Sequence, residues 1–411
     1  MHTPKLFLCI PAMDELANLP SLIQSLQLQE TEYPFKTIFC INHPEAWAGD
    51  SSKKDIVENN RRSIDYLRQV NNLDIEVIDR SGSGKGWDNK NYGVGWARKT
   101  AMDYAGNQAE NDDLIFSMDA DTFYPPEYLR ETTDNLLNHP DAMGIAIPYY
   151  HPLPGSETAA RAMLRYEMYM RHYALNMWRI ESPYKFTALG SAMALPVWAY
   201  RKVGGITPKI AGEDFYFLQK LRKSGKILHY NPVKAFPEAR FSDRVIFGTG
   251  PAMIKGAENQ WESYPIYHPS LFDEIKEIND AFGKYYDKTL SESVLSKIHQ
   301  DAMSRSSLEK LRKNSTSREE FIKKCHIKFD GLRTLQYLKK NQTAIPQPGE
   351  HILRDYLLNT YREAESHRQV LEQLSFRESA VADLNNIRNL MVKIETKIIR
   401  NDHNNGTYSY R

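Results

Sequence analysis

The sequence has few cysteines and no histidine pattern of the kind that holds zinc. Its three cysteines, Cys9, Cys40 and Cys325, are odd in number and far apart among 411 residues, which argues against a disulfide framework. The 12 histidines form neither an H-x-x-x-H nor an H-E-x-x-H pattern, so zinc is unsupported. This cysteine usage is typical of a reducing compartment, and we expect a cytoplasmic location.

Long hydrophobic runs and net charge are also lacking. No stretch approaches the roughly 20 apolar residues that a membrane-spanning helix needs. The apolar run Leu6–Met13 stops at Asp14 and Glu15, which is too short and too abruptly acidic for a signal peptide. The 53 basic residues against 52 acidic ones leave a formal charge of +1. Without a basic field, nucleic acid is not an expected partner.

Glycine and proline become scarce after residue 256. Residues 1–256 hold 17 of the 21 glycines and 17 of the 21 prolines, and the later stretches 284–330 and 350–405 read as helical. At roughly 150 residues per domain, the chain has room for two to three domains. We predict an α/β domain over residues 1–265 and an all-helical region over 266–411.

Short apolar runs alternate with helical segments in the first half. The predicted strands are Lys5–Ile10, Lys36–Ile41, Asp74–Ile78 and Leu114–Met118. Strands that alternate with helices predict a mostly parallel sheet with helices on both faces. Ligands of such sheets bind beyond the carboxyl ends of the strands, where polar residues follow each of these runs.

Two carboxylates leave the strand that ends at Met118. Asp119 and Asp121 stand at alternate positions, before Pro125 and Pro126. Mg²⁺ and Mn²⁺ favour oxygen ligands and typically take one or two carboxylates together with substrate phosphates. The pattern therefore indicates a divalent-cation site, with a solvated turn or a helix cap as the alternative.

A second acidic pair opens a helix. Glu213 and Asp214 follow Gly212 and precede the apolar residues Phe217 and Leu218. Acidic residues in a first helical turn are favoured by the helix dipole alone. The catalytic interpretation is that Asp214 is a general base that accepts a proton from an attacking hydroxyl. Position alone leaves both interpretations open.

Two glycine-containing segments are candidates for contact with an anionic ligand. The loop from Asp79 to Gly86 lacks the spacing of a P-loop, but Lys85 and its backbone N–H groups could hold a diphosphate. Gly190 lies in a small-residue turn where the backbone could approach a ligand closely. The alternative for the Asp79–Gly86 loop is a mobile surface loop, and the alternative for Gly190 is a tight packing turn.

The helical segment 159–180 carries Met and aromatic residues at spacings of three and four, flanked by Arg161, Arg165 and Arg171. Such a stripe is usually core. Contact with an acceptor or with a lipid surface is the alternative, which leaves peripheral membrane contact open.

These elements together resemble glycosyltransferase family 2, whose members are inverting enzymes of the GT-A fold. The matching segments occur in one order along residues 5–256, roughly three fifths of the chain: Leu6–Glu15, Asn18–Leu19, Gly93–Arg98, Asp119–Asp121, Gly190–Met193, Val203–Gly205 and Gly212–Phe215. Gly93–Met102, Ser242–Val245 and Phe247–Gly250 also resemble a bacterial branch of that family.

The resemblance implies a function and a set of roles. It implies that Pro11 and Glu15 line the nucleotide site. Asp79, Lys85 and Gly190 are further candidates for contact with the sugar nucleotide, on the grounds given above. The resemblance also implies that Asp119 contacts the nucleoside, that Asp121 holds Mg²⁺ or Mn²⁺ on the diphosphate, and that Asp214, next to Glu213, is the base. Arg244 would contact the diphosphate. The expected partners are a nucleoside-diphosphate sugar and a hydroxyl acceptor, such as a glycan or a lipid-linked sugar.

The chain departs from the family pattern in two places. The strand that ends at Ile41 meets Asn42-His43-Pro44 where the family has an acidic turn that reads the nucleotide base. No Gln or Arg followed by two spacers and Arg-Trp is present, which favours transfer of a single sugar over processive synthesis.

Two other functions stay open on sequence grounds. One is a catalytically silent scaffold whose helical region binds a partner. The other is a sugar-phosphate nucleotidyltransferase, disfavoured because Pro11–Glu15 contains neither glycine nor a basic residue. Apolar residues at helical spacing from Leu384 to Ile398 leave self-association through the C-terminal helices open as well.

Overall fold

The computed structural model describes residues 3–88, 91–242, 248–345 and 347–404, apart from the side chain of residue 301. The chain forms two compact units. The first contains the residues up to Met163 and Phe186–Asn259, and the second contains Leu164–Lys185 and Gln260–Asp402. Because the units are interleaved along the chain, the predicted boundary between residues 265 and 266 stays a prediction.

The first unit is built on a mostly parallel sheet. Within the described residues, seven strands follow the order β3-β2-β1-β4-β7-β6-β8, and β7 is antiparallel to both of its neighbours. A two-stranded ribbon joins β5 to β9. The strand bounds are β1 Leu6–Ala12, β2 Phe35–Asn42, β3 Ile75–Arg80, β4 Leu114–Ser117, β5 Thr122–Phe123, β6 Ala142–Ala146, β7 Met193–Pro196, β8 Lys226–Leu228 and β9 Phe236–Pro237.

Helices cover both faces of this sheet. All seven residues of β1 are buried, and since successive side chains of a strand point to opposite faces, neither face of β1 meets solvent. The helices that begin in this unit are α1 Leu19–Gln27, α2 Lys54–Arg68, α3 Val94–Gln108, α4 Tyr128–Leu137, α5 Glu157–Arg179, α6 Val197–Lys202, α7 Glu213–Ser224 and α8 Thr249–Ala257. The predicted mostly parallel α/β architecture is confirmed.

The second unit is helical, as predicted for the C-terminal region. Its later helices are α9 Pro269–Tyr286, α10 Glu292–Asp301, α11 Arg305–Lys313, α12 Arg318–Lys328, α13 Gly331–Gln342, α14 Gly349–Thr360, α15 Arg368–Glu372 and α16 Val381–Asn404. Leu384, Ile387, Met391 and Ile394 of α16 are buried. Their apolar stripe therefore forms core of the chain itself. None of the described helices has the length and apolar character that crossing a bilayer requires.

Buried ion pairs join α5 to α16 in the second unit. Arg171 pairs with Glu167 at 2.6 Å and also with Glu395, while Arg388 Nη1 lies 3.2 Å from Glu167 Oε2. Arg171 is buried and therefore does not belong to an exposed basic face. Its charge is compensated within the core.

Removal of Arg171 should destabilise this unit strongly. Arg171→Met leaves two buried carboxylates with less positive charge, and breaking a buried pair typically costs about 3–5 kcal/mol. We expect a loss of that size in the free energy of unfolding, measured by urea denaturation of the full chain. Arg305→Met removes an exposed pair with Glu309 on α11 and should cost less than about 1 kcal/mol. Equal losses in the two variants would contradict the assignment.

Candidate active site

The carboxyl ends of β1, β2 and β4 lie side by side. The register pairs Cys9 of β1 with Ser117 of β4, and Ala12 of β1 with Ile41 of β2. The segments that follow, with Glu15 after β1 and Asp119 after β4, therefore begin at one edge of the sheet. This is the edge at which open α/β sheets bind their ligands.

A buried arginine from α3 joins the two acidic motifs. Arg98 Nη2 donates to Asp119 Oδ1 at 2.9 Å, and Arg98 Nε donates to Glu213 Oε1 at 2.9 Å. Its Nη1 donates to Ser117 Oγ at 2.7 Å and to the Gly190 carbonyl at 3.0 Å. Burial alone would lower the pKa of Arg98, but Asp119 and Glu213 outweigh it and raise the pKa. The guanidinium is a fixed positive charge.

Gly190 makes room for this arginine. A Cβ atom at residue 190 would lie 2.3 Å from Arg98 Nη2, so the close approach permitted by this glycine is to the protein's own guanidinium. The Gly190 carbonyl also accepts the Ser117 hydroxyl at 2.6 Å. Gly190 therefore helps to shape the site, and the sugar-nucleotide contact expected for it stays a prediction.

Asp119 is held from its backbone as well. The hydroxyl of Tyr124 accepts the Asp119 N–H at 2.9 Å and donates to the Ser191 carbonyl at 3.1 Å. The Asp119 side chain is 30% exposed, whereas that of Arg98 is 2% exposed. The Asp119 carboxylate is thus held by the buried Arg98 through Oδ1, while part of the same side chain is exposed to solvent.

Glu213 and Asp214 have different surroundings at the start of α7. Glu213 is buried against Arg98, and no side chain caps this helix. Asp214 is partly exposed, and its Oδ1 accepts the Phe215 N–H at 2.7 Å. Desolvation and the charge of Glu213 raise the pKa of Asp214 to about 7, although Arg98 opposes this. A carboxylate with a raised pKa can exchange a proton near neutral pH.

Asp121 and Glu15 share a second arginine. Arg240 Nη2 lies 2.8 Å from Asp121 Oδ2 and 2.5 Å from Glu15 Oε1. The other Glu15 oxygen accepts the Asn18 side-chain amide at 2.7 Å. Strand β5 follows Asp121 directly and pairs with β9, and the Glu238 N–H donates to the Asp121 carbonyl at 2.9 Å. The ribbon therefore positions Arg240 beside Asp121.

The glycine-rich loop after β3 uses its backbone donors internally. Asp79 Oδ1 accepts the N–H groups of Ser81 and Gly82, each at 2.9 Å, and its other oxygen pairs with Lys85 at 3.0 Å. The carboxylate oxygens of Glu45 accept the Gly84 and Gly86 N–H groups at 2.7 and 2.8 Å. In this conformation the loop satisfies its donors with protein carboxylates.

The remaining predicted residues have simpler surroundings. Pro11 is buried in β1 opposite Cys40. Arg244 lies outside the described residues, so its expected diphosphate contact stays a prediction. The contacts of Arg98, Arg240 and Tyr124 were not predicted from the sequence. Gly190 offered a signal for Arg98, since a glycine at the edge of a buried strand often marks a close approach of packed groups.

Glu15 and Asp121 could hold a divalent cation only if a substrate supplied further oxygen ligands. Among the described residues, no group of three or more His, Cys, Asp or Glu side chains could hold a metal ion. Asp121 and Glu15 nevertheless present two carboxylates that already face one positive group. Mg²⁺ and Mn²⁺ typically use one or two carboxylates plus substrate phosphates, and this donor set meets that requirement.

Comparisons with known proteins identify the class. A model described as Glycosyl transferase family 2 matches residues 7–191, and one described as Glycosyl transferase family group 2 matches residues 114–274. The two matches together contain each of the site residues above. The protein is a glycosyltransferase. The chain belongs to glycosyltransferase family 2, and its sheet and helices form the GT-A fold with a helical C-terminal region.

Solved structures with similar chains include two transferases. S. aureus TarS, residues 1–349 with UDP-GlcNAc, is 15% identical with a TM-score of 0.40, over 99% of this chain and 93% of that chain. The mannosyltransferase PcManGT from Pyrobaculum calidifontis, with GDP-Man and Mn²⁺, is 11% identical with a TM-score of 0.38, over 97% and 88%. TM-scores this low carry no conclusion about this chain. No curated protein matches the sequence.

The contact between Gly190 and Arg98 should make the effects of substitutions at these two residues on the free energy of unfolding non-additive. Gly190→Ala forces a methyl group against the guanidinium, and overpacking of this kind typically costs about 1–3 kcal/mol. We expect that loss in the free energy of unfolding, and a much smaller one when Arg98→Ala has already removed the clash.

Gly155→Ala is the control, because a Cβ there meets nothing within 4 Å. If Gly190→Ala were as mild as Gly155→Ala, or cost the same with and without Arg98, the contact would not be the reason for this glycine.

Proposed function

We propose that the protein is an inverting glycosyltransferase that moves one sugar from a nucleoside-diphosphate sugar to an acceptor hydroxyl. Asp214 is the general base, and Asp121 contributes to a site for Mg²⁺ or Mn²⁺. The observation that carries the proposal is the bridge made by Arg98, which pairs with Asp119 and with Glu213, the neighbour of Asp214, at 2.9 Å each. This bridge supports the assignment of Asp119 to the donor and of Asp214 to the acceptor.

The donor side needs positive charge. When the glycosidic bond to the diphosphate breaks, negative charge develops on the leaving group, and positive groups fixed in advance stabilise it. Arg240 supplies a guanidinium beside Asp121 and Glu15. A bound divalent cation would act as a Lewis acid on the diphosphate oxygens. Asp119, oriented by Arg98 and Tyr124, is available to the nucleoside.

The acceptor side needs a base that can take one proton. Asp214 has a raised pKa and partial exposure, so its carboxylate can accept the acceptor proton as the oxygen attacks the anomeric carbon. Glu213 is buried in its ion pair with Arg98 and is a positioning residue rather than the base. A single in-line displacement without an enzyme nucleophile inverts the configuration at the anomeric carbon.

The roles of Asp121 and Asp214 are separable by substitution. Asp214→Asn should keep nucleotide binding and lower sugar transfer by about 10²–10⁴-fold, the usual contribution of general base catalysis. Asp121→Asn should weaken the Mn²⁺-dependent binding of UDP or GDP. Calorimetry with and without Mn²⁺ measures binding, and slow hydrolysis of a panel of UDP- and GDP-sugars measures turnover without a known acceptor.

Asp112→Asn, an exposed residue before β4, is the matched control and should behave like the wild type. Wild-type turnover by Asp214→Asn would remove that residue from the mechanism. Absence of any nucleotide binding by the wild type would favour the silent scaffold, and release of pyrophosphate from a nucleoside triphosphate and a sugar phosphate would favour the nucleotidyltransferase.

The pH profile should report Asp214. A base must be deprotonated to act, so turnover should fall as the pH drops below about 7, the pKa of Asp214. Glu213→Gln removes the negative neighbour that raises this pKa and should move the acidic limb to lower pH. The measurement is the hydrolysis rate at saturating donor between pH 5 and 9. An acidic limb that stays in place in Glu213→Gln would exclude Asp214 as the titrating group.

A further inference from the structure

Arg240 occupies the place where a cation would meet Glu15 and Asp121. A single nitrogen, Nη2, lies within hydrogen-bond distance of one carboxylate oxygen from each residue, at 2.5 and 2.8 Å. The side chains of Glu15 and Asp121 are 8% and 24% exposed. Two carboxylates held this close repel each other unless positive charge lies between them.

We propose that Arg240 is an exchangeable counter-ion of the donor site. It pairs with Glu15 and Asp121 before the donor binds, and it would pair with the diphosphate instead once Glu15 and Asp121 hold a divalent cation. This inference rests on the proposed function, because it assumes that the donor is a nucleoside diphosphate bound with a cation.

The two carboxylates are built to stay in place during such an exchange. The second oxygen of Glu15 is held by Asn18, and the preceding residue Asp14 has a left-handed backbone with φ of 60° whose N–H donates to Asn60. The Asp121 carbonyl is fixed by the Glu238 N–H of the β5–β9 ribbon. Departure of the guanidinium would therefore leave both carboxylates next to the same space.

Arg240 itself is held less firmly than Arg98. Arg98 is 2% exposed and uses all three of its guanidinium nitrogens, whereas Arg240 is 26% exposed and uses Nη2 alone. Its Nε and Nη1 have no hydrogen-bond partner among the described residues. These donors are free to form the paired contacts that guanidinium groups make with phosphate oxygens.

The exchange leaves the formal charge of its participants unchanged. Before binding, the side chains of Glu15, Asp121 and Arg240 sum to a formal charge of minus one. The divalent cation and the doubly negative diphosphate cancel each other, so adding both does not change that sum. Arg240 thus lowers the affinity of the two carboxylates for a divalent cation alone. It favours binding of the cation together with the diphosphate.

The test measures binding of Mn²⁺ rather than turnover. Electron paramagnetic resonance of free Mn²⁺ gives the dissociation constant of the full-length protein without nucleotide. Arg240→Met should bind Mn²⁺ at least tenfold more tightly than the wild type, since it leaves the carboxylates less compensated. The same variant should bind UDP or GDP with Mn²⁺ at least tenfold more weakly, because the guanidinium contact to the diphosphate is lost.

Two further variants guard the interpretation. Arg240→Lys keeps a charge at this position and should shift both constants less than Arg240→Met does. Arg61→Met is the matched control, because Arg61 also bridges two carboxylates, Glu58 and Asp65, but on the exposed surface of α2. It should bind Mn²⁺ and nucleotide as the wild type does.

The outcomes separate this inference from the proposed function. Unchanged or weaker Mn²⁺ binding by Arg240→Met would overturn the exchange, even if Asp214→Asn still abolished transfer. Tighter Mn²⁺ binding combined with weaker nucleotide binding would support it, even if Asp214→Asn transferred sugar normally. A wild type that binds no Mn²⁺ with either nucleotide would overturn the exchange together with the cation site.

Discussion

A guanidinium can stay buried only if its charge and its N–H groups have partners, and those of Arg98 come from three separate segments of the chain. Asp119 and Glu213 compensate its charge, while Ser117 and the Gly190 carbonyl accept from its Nη1. Because these partners come from β4, α7 and the turn before β7, one side chain fixes the relative positions of segments that are up to 115 residues apart. The charge of Arg98 also opposes the shift that gives Asp214 its raised pKa.

The two arginines of the site illustrate how burial determines what an ion pair can do. Removing Arg98 from its carboxylates would leave charges buried without compensation, so this ion pair resists change. The Arg240 guanidinium is 26% exposed, so solvent and ligands can reach it, although its partner Glu15 is buried. The site therefore contains two guanidinium groups of different burial. Arg98, which pairs with Asp119, is buried, and Arg240, which pairs with Asp121, is partly exposed.

Much of the fold and part of the site could be predicted from the sequence. Apolar runs at the lengths of strands predicted β1 to β4 to within two residues at each end, and acidic residues directly after β4 and at the start of α7 marked one edge of the sheet. The pairing of Arg98 and Arg240 was not predictable. Arg98 lies on the same face of α3 as the buried residues Ala101, Met102 and Ala105, but the partners of both arginines are distant in sequence, 119 and 225 residues away for Arg240. Local periodicity carries no information on such pairs.

The end of β2 shows how a departure from the family pattern is accommodated. In place of an acidic turn, Asn42 donates to the Ala12 carbonyl at 3.0 Å, and His43 lies buried 2.9 Å from the amide of Asn60. The nearest acid in the chain, Glu45, is engaged with the N–H groups of Gly84 and Gly86. A Cβ at residue 86 would lie 2.7 Å from the Glu45 backbone, so that loop needs glycine there. The polar groups that replace the acidic turn are therefore engaged by contacts within the chain itself.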